Sequence, residues 1–143
     1  MFELKRPCIN CPFRKGVGET FGFDVTRLHE IKTAVAFQCH KTVDYEHFDD
    51  PERRSGDRPQ QCAGLMAILS REGCANSIMQ VAERFGVSLS GLDPKHEAYE
   101  SWDDVLAAHC KETVTNQKEA PRANHRRSTR ATGRSRLKRR VSA

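Results

Sequence analysis

Four cysteines and a histidine, spaced C-x2-C-x27-C-H-x21-C, constrain this chain more than any other feature: Cys8 and Cys11, then Cys39 beside His40, then Cys62. Two residues between cysteines let both sulfurs face one point, as in metal knuckles. The other half of a tetrahedral site must come from elsewhere, and Cys39 or His40 together with Cys62 supplies it. Neighbours in an extended chain point to opposite sides, so one metal takes Cys39 or His40 but not both, and the spacing leaves the choice open. Cys62 stands where an apolar helix begins, and the partial positive charge of a helix N-terminus favours the thiolate that metals need. Lys5, Arg6, Arg14 and Lys15 flank the knuckle and are placed to offset thiolate charge.

The size of the chain makes such a staple useful. Its 143 residues suit one domain, and 37% hydrophobic residues is lean for a core that must stand unaided. The first residues hold no apolar run of the ~7–15 residues a secretion signal needs. No stretch approaches the ~20 apolar residues of a membrane span. The expected location is therefore cytoplasmic, where thiols stay reduced. Six cysteines there read as metal ligands or reactive thiols, not as three disulfides. Cys74 and Cys110 lack a partner motif and read as small buried hydrophobes.

Ligand chemistry points to zinc, which accepts four thiolates, or three thiolates and an imidazole, without redox activity. An iron–sulfur cluster also takes four thiolates and stands as the alternative. Pro12 directly after Cys11 lacks the N–H that a glycine there often directs at sulfur in zinc ribbons.

The remaining pattern predicts a mainly helical α+β fold, one metal-stapled domain over residues 1–118 with irregular N-terminal loops. Pro7, Pro12, Gly16, Gly18 and Gly22 break up residues 1–23, with Phe2 and Leu4 as a short edge strand. Asp24 caps a helix on which Val25, Leu28, Ile31 and Val35 recur at helical spacing. Residues 37–40 read as extended and 41–60 as a long polar loop. A second helix runs from Cys62 to Gly73, and a third follows Asn76 with 78, 81, 82 and 85 on one face. A fourth starts at Ser101 with a capping-box pattern.

The blocks Pro7-Cys8-x-x-Cys11-Pro12-Phe13-Arg14-Lys15, Phe37-x-Cys39-His40-Lys41-Thr42 and Cys62-Ala63-Gly64 together resemble a small family of uncharacterised proteins of actinobacteria and their phages. The likeness spans about residues 5–70. It implies that these cysteines and His40 act together, on a metal, and brings no established reaction.

Charge divides the chain in two. Residues 119–143 hold nine Lys and Arg against one Glu, a net of +8, while residues 1–118 carry a net of −3. The tail's Arg122, Arg126, Arg127, Arg130, Arg134, Arg136, Lys138, Arg139 and Arg140 can neutralise phosphates without reading sequence, and apolar residues there are too sparse to oppose chain entropy. The tail reads as disordered, and nucleic acid or a nucleic-acid-bound assembly as its partner. Function thus reads as a metal-binding module without catalytic residues. Redox sensing or electron transfer is the alternative that a cluster would bring. Two enzyme readings are weaker. A metal-dependent nuclease would use His40, His47, Asp44, Glu46, Asp49 and Asp50, but those residues offer only local crowding. A thiol oxidoreductase would use Cys8 and Cys11, which do not open a helix after a strand.

Overall fold

Seven consecutive buried residues, Ala63 to Leu69, make the second helix the axis around which the rest is arranged. A helix that is apolar on every side is stable only when surrounded. The computed structural model describes residues 1–110, and four helices lie in that span. They are α1 (Val25–Thr33), α2 (Ala63–Arg71), α3 (Ser77–Arg84) and α4 (Trp102–His109). Leu28 and Ile31 of α1, Met79 of α3, and Trp102, Val105 and Ala108 of α4 are buried with α2 in one core. None of the helices among the described residues is long and apolar enough to cross a membrane.

Three of the four helices begin at a side-chain cap. Asp24 accepts the Arg27 N–H at 2.7 Å, and Asn76 accepts that of Met79 at 3.1 Å. Ser101 and Asp104 form the reciprocal capping box. The buried faces differ from those the spacing predicts. Val25 and Val35 are exposed, and α3 buries Met79 and Ala82 while Val81 and Phe85 face outward. α3 is turned about its axis towards Met79, whose long unbranched side chain reaches the core from the margin of the apolar stripe.

The expected strands reduce to isolated bridges, Arg14 with Ala98 and Gln38 with Gln61, and no strand forms among the described residues. Phe2 and Leu4 pack on the core instead, and the first residues attach through Gln61 N–H to Met1 O at 2.9 Å and Glu3 N–H to Gln60 Oε1 at 3.0 Å. The described fold is therefore mainly helical, with loops fastened by side chains and single bridges. The expected boundary at residue 118 and the tail beyond it lie outside the described residues.

Two polar contacts position the N-terminal loop. Buried Asp93, at φ 49°, accepts the Glu97 and Ala98 N–H groups at 2.8 and 3.0 Å and the Arg71 guanidinium at 2.6 Å. Burial pushes its carboxyl up, but Arg71 and the two amides outweigh burial and hold it below the usual range. The loop so formed carries Glu97, which pairs with Arg6 and Arg14, each at 3.0 Å.

The second contact is His109. The Phe23 N–H donates to its Nδ1 at 3.2 Å, so the proton sits on Nε2, which donates to Pro12 O at 2.8 Å. Burial holds this histidine below its ordinary value. A lowered folded pKa means that the unfolded chain protonates first as pH falls. The stability His109 contributes is present above about pH 6.5 and is lost as the pH drops below that. Ring-nitrogen NMR is expected to show the Nε2–H tautomer at pH 7 and a His109 midpoint below 6.5. A midpoint at or above 6.5 would refute the buried, neutral assignment.

Candidate metal centre

The five residues of the motif come from three separate segments, and backbone pairing brings two of those segments side by side. Cys39 N–H donates to Gln60 O at 2.7 Å and Cys62 N–H to Phe37 O at 2.9 Å. Residues 37–39 and 60–62 thus run antiparallel across the Gln38–Gln61 bridge, which sets Cys39 near Cys62. The knuckle closes on itself through Cys11 N–H to Cys8 O at 3.1 Å and Arg14 N–H to Cys11 O at 3.0 Å. It docks on the core through Phe13, which is fully buried, edge-on to Phe37 at 5.7 Å and stacked on Trp102 at 6.3 Å.

The ligand atoms of Cys8, Cys39 and His40 all lie within 4.8 Å of one another, close enough to hold a metal ion. No other group of three or more potential ligands is so gathered among the described residues. Cys11 Sγ lies 3.6 Å from Cys62 Sγ, and both nitrogens of His40 lie 4.0 Å from Cys8 Sγ. Cys11, Cys39 and Cys62 are buried, whereas Cys8 and His40 are half-buried.

Cys39 and His40 therefore share a side, contrary to the expectation for an extended chain. Cys39 is extended, at φ −61° and ψ 122°, but the chain turns into a single 3-10 turn at His40–Thr42. The alternation of side chains ends there, and the imidazole swings back over Cys8.

The electrostatics suit thiolates. Cys8 is brought down to about 5, first by its hydrogen bond with Cys11 and then, against desolvation, by the charge of His40. Cys62 is lowered by Cys11 and by the Gly64 and Leu65 amides at the start of α2, and burial opposes this. Its partner Cys11 is pushed up, chiefly by Cys62 and Cys8, so the Cys11–Cys62 pair keeps its proton on Cys11. Burial pushes Cys39 up to about 11.

A regularity runs through the four sulfurs. The backbone N–H two residues on favours the thiolate in every case: Asn10 for Cys8, Phe13 for Cys11, Lys41 for Cys39 and Gly64 for Cys62. Pro12 sits one residue after Cys11, where no donor is required, so its missing N–H removes nothing from this set. The signal was present in the sequence, since all four positions two residues after a cysteine are non-proline.

Other expectations change. Arg6 and Arg14 pair with Glu97, Lys15 reaches Glu100 at 2.6 Å, and Lys5 Nζ donates to Ser88 O at 3.0 Å. These cations fasten the knuckle to the 88–100 segment instead of covering the sulfurs. His47 pairs with Asp44 at 2.8 Å within its own loop, while His40 faces Cys8, so the acidic cluster and His40 are not assembled into one site. Cys74 is exposed rather than buried, and Cys110 is half-buried against Phe23 with its Sγ 3.7 Å from Phe23 O. The basic residues 122–140 lie outside the described residues.

The chain matches no protein-family model, no curated protein and no solved structure.

Gly64 shows how tightly the site is built into α2. A Cβ at this position would stand 2.7 Å from Cys11 Sγ and 3.2 Å from Phe13 Cβ. Alanine at Gly64 is expected to lower stability in urea by about 1–3 kcal/mol through overpacking, more than the ~1 kcal/mol at most that its helix propensity returns. An unchanged or raised unfolding midpoint would show that the helix can back away from the sulfur.

Proposed function

We propose that this protein is a metal-binding module in which Cys8, Cys11, Cys39 and Cys62 hold one zinc ion in a structural role, with a basic tail that engages nucleic acid. The observations that carry the metal reading are the gathering of the Cys8, Cys39 and His40 ligand atoms within 4.8 Å of one another and the close approach of Cys11 Sγ to Cys62 Sγ. Bonds of ~2.3 Å at tetrahedral angles set neighbouring sulfurs about 3.8 Å apart, and the 3.6 Å between Cys11 and Cys62 agrees with that. A four-iron cluster places each thiolate on its own iron and spaces the sulfurs more widely, so the close Cys11–Cys62 pair favours a shared ion over that cluster. The amide two residues beyond each cysteine supports the same reading, because it stabilises four negative sulfurs around one cation. Four protein ligands would fill a zinc tetrahedron and leave no position for substrate, so the reading is structural and not catalytic.

Protein purified without oxygen is expected to contain about one zinc per chain and no visible colour, and to lose cooperative unfolding when the metal is chelated. Brown protein with visible absorption would instead favour the iron–sulfur reading. A chain that folds equally well with and without metal would remove both.

The nucleic-acid part rests on charge in the sequence: nine basic residues and one acidic residue in the last 25. Each phosphate neutralised contributes a slope of roughly −0.9 to log affinity against log salt. Duplex DNA binding is expected to weaken steeply with salt, by a slope of several units, and to disappear when residues 119–143 are deleted. Affinity indifferent to salt or to the deletion would exclude this partner.

A further inference from the structure

The site offers five donors where a tetrahedral ion takes four. Four of them, the sulfurs of Cys8, Cys11, Cys39 and Cys62, make up the proposed zinc set, and the fifth is the imidazole of His40. Its two nitrogens are equally near Cys8 Sγ, at 4.0 Å, and its ring packs against Phe21 with centroids 6.4 Å apart. It also follows Cys39 directly in the chain, so a metal held by Cys39 is already within its reach.

The five donors differ in exposure in a way that pairs Cys8 with His40. Cys11, Cys39 and Cys62 are buried, and only Cys8 among the four sulfurs is half-buried. Its neighbour Ile9 is 66% exposed, so the knuckle presents its outer edge, with Cys8, to solvent. An alkylating electrophile therefore meets Cys8 before the other three. In that reaction the Cys8 sulfur forms a bond to the electrophilic carbon, the bond from carbon to the leaving group breaks, and the leaving group departs with its electron pair. The resulting thioether is neutral and a poor ligand for zinc, which opens one position.

We propose that His40 is a reserve ligand that takes the position of Cys8 when the Cys8 thiolate is blocked, so that the module senses electrophiles without releasing its metal. The proposal rests on the metal reading above and adds regulation to it. Three thiolates and one imidazole are an ordinary zinc set, so the exchange leaves a closed site of altered charge.

Cobalt, whose absorption bands distinguish four sulfurs from three sulfurs and one nitrogen, is the probe for the full chain. Cys8→Ala is expected to bind one cobalt within about tenfold of the unaltered affinity, with the three-sulfur, one-nitrogen spectrum. His40→Ala keeps the four-sulfur spectrum. The double variant is expected to bind more than about 100-fold more weakly than Cys8→Ala, beyond the cost of losing even an outer partner of a ligand. Cys11→Ala, which removes a buried sulfur with no spare beside it, loses cobalt.

A second measurement uses iodoacetamide in a Cys74→Ser background, since Cys74 is exposed. Native mass spectrometry is expected to find Cys8 alkylated first among the four, with metal retained, and metal released on the same modification in His40→Ala. Unmodified protein that binds no cobalt overturns the metal reading itself. Cobalt bound by unmodified protein but lost from Cys8→Ala, or alkylation of Cys11, Cys39 or Cys62 ahead of Cys8, overturns the reserve-ligand proposal alone.

Discussion

The approach of Cys11 to the first turn of α2 is the contact on which the rest of this structure depends. At that point a sulfur, a helix N-terminus and a buried aromatic occupy one small volume. Cys11 Sγ lies 3.6 Å from Cys62 Sγ, and the space a side chain at Gly64 would need is taken by Cys11 and Phe13. The knuckle is therefore not an appendage on a finished core. Phe13 enters the core two residues after Cys11, and α2 can be packed on all sides only because the knuckle closes one of them.

The consequence for the sulfurs is electrostatic. The Cys11 thiol together with the Asn10, Leu65 and Gly64 amides lowers Cys8 and Cys62, while Cys62 and Cys8 push Cys11 up and burial pushes Cys39 up. Without a cation the cluster settles this by retaining protons on Cys11 and Cys39. On the proposed reading, zinc takes the place of those protons, and the amides already directed at the sulfurs require no rearrangement. The coupling of metal affinity to pH then follows from the protons displaced.

What the sequence made legible is what depends on neighbours along the chain. The caps at Asp24, Asn76 and Ser101 and the stop after α2 at Gly73 involve partners within a turn or so, and helix limits followed from them closely. Helix faces were less legible, because α3 is turned by what it meets in space and Phe85 is left 83% exposed on the stripe that periodicity assigns to the core. The destinations of Arg6 and Arg14 were hidden for a related reason: Glu97 is more than 80 residues away, and beside a cysteine knuckle an arginine reads as a thiolate counter-charge. His109 had no partner motif, since its acceptor is a backbone carbonyl, Pro12 O, which carries no side-chain signature. The shared side of Cys39 and His40 turned on a single 3-10 turn, shorter than any periodicity can reveal.

Those distant contacts also explain how a loop rich in proline and glycine is held ready for a ligand. Pro12 O is bound by His109 from α4, and the Phe13 carbonyl accepts the Tyr99 N–H at 3.1 Å. Lys15 N–H donates to Glu97 O at 2.9 Å, and Asp93 N–H donates to Lys5 O at 2.6 Å. These bonds reach residues 5, 12, 13 and 15, on both sides of the Cys8–Cys11 pair, and none uses a sulfur. The backbone of the knuckle is thereby fixed by the 93–99 segment and α4, while Cys39 and Cys62 are fixed by their own antiparallel pairing. The two frameworks meet at the cysteines, at the Phe13–Phe37 contact and where Met1 and Glu3 bond to Gln61 and Gln60. A ligand that joins them crosslinks preformed halves and so pays little of the ordering entropy that a floppy site would demand.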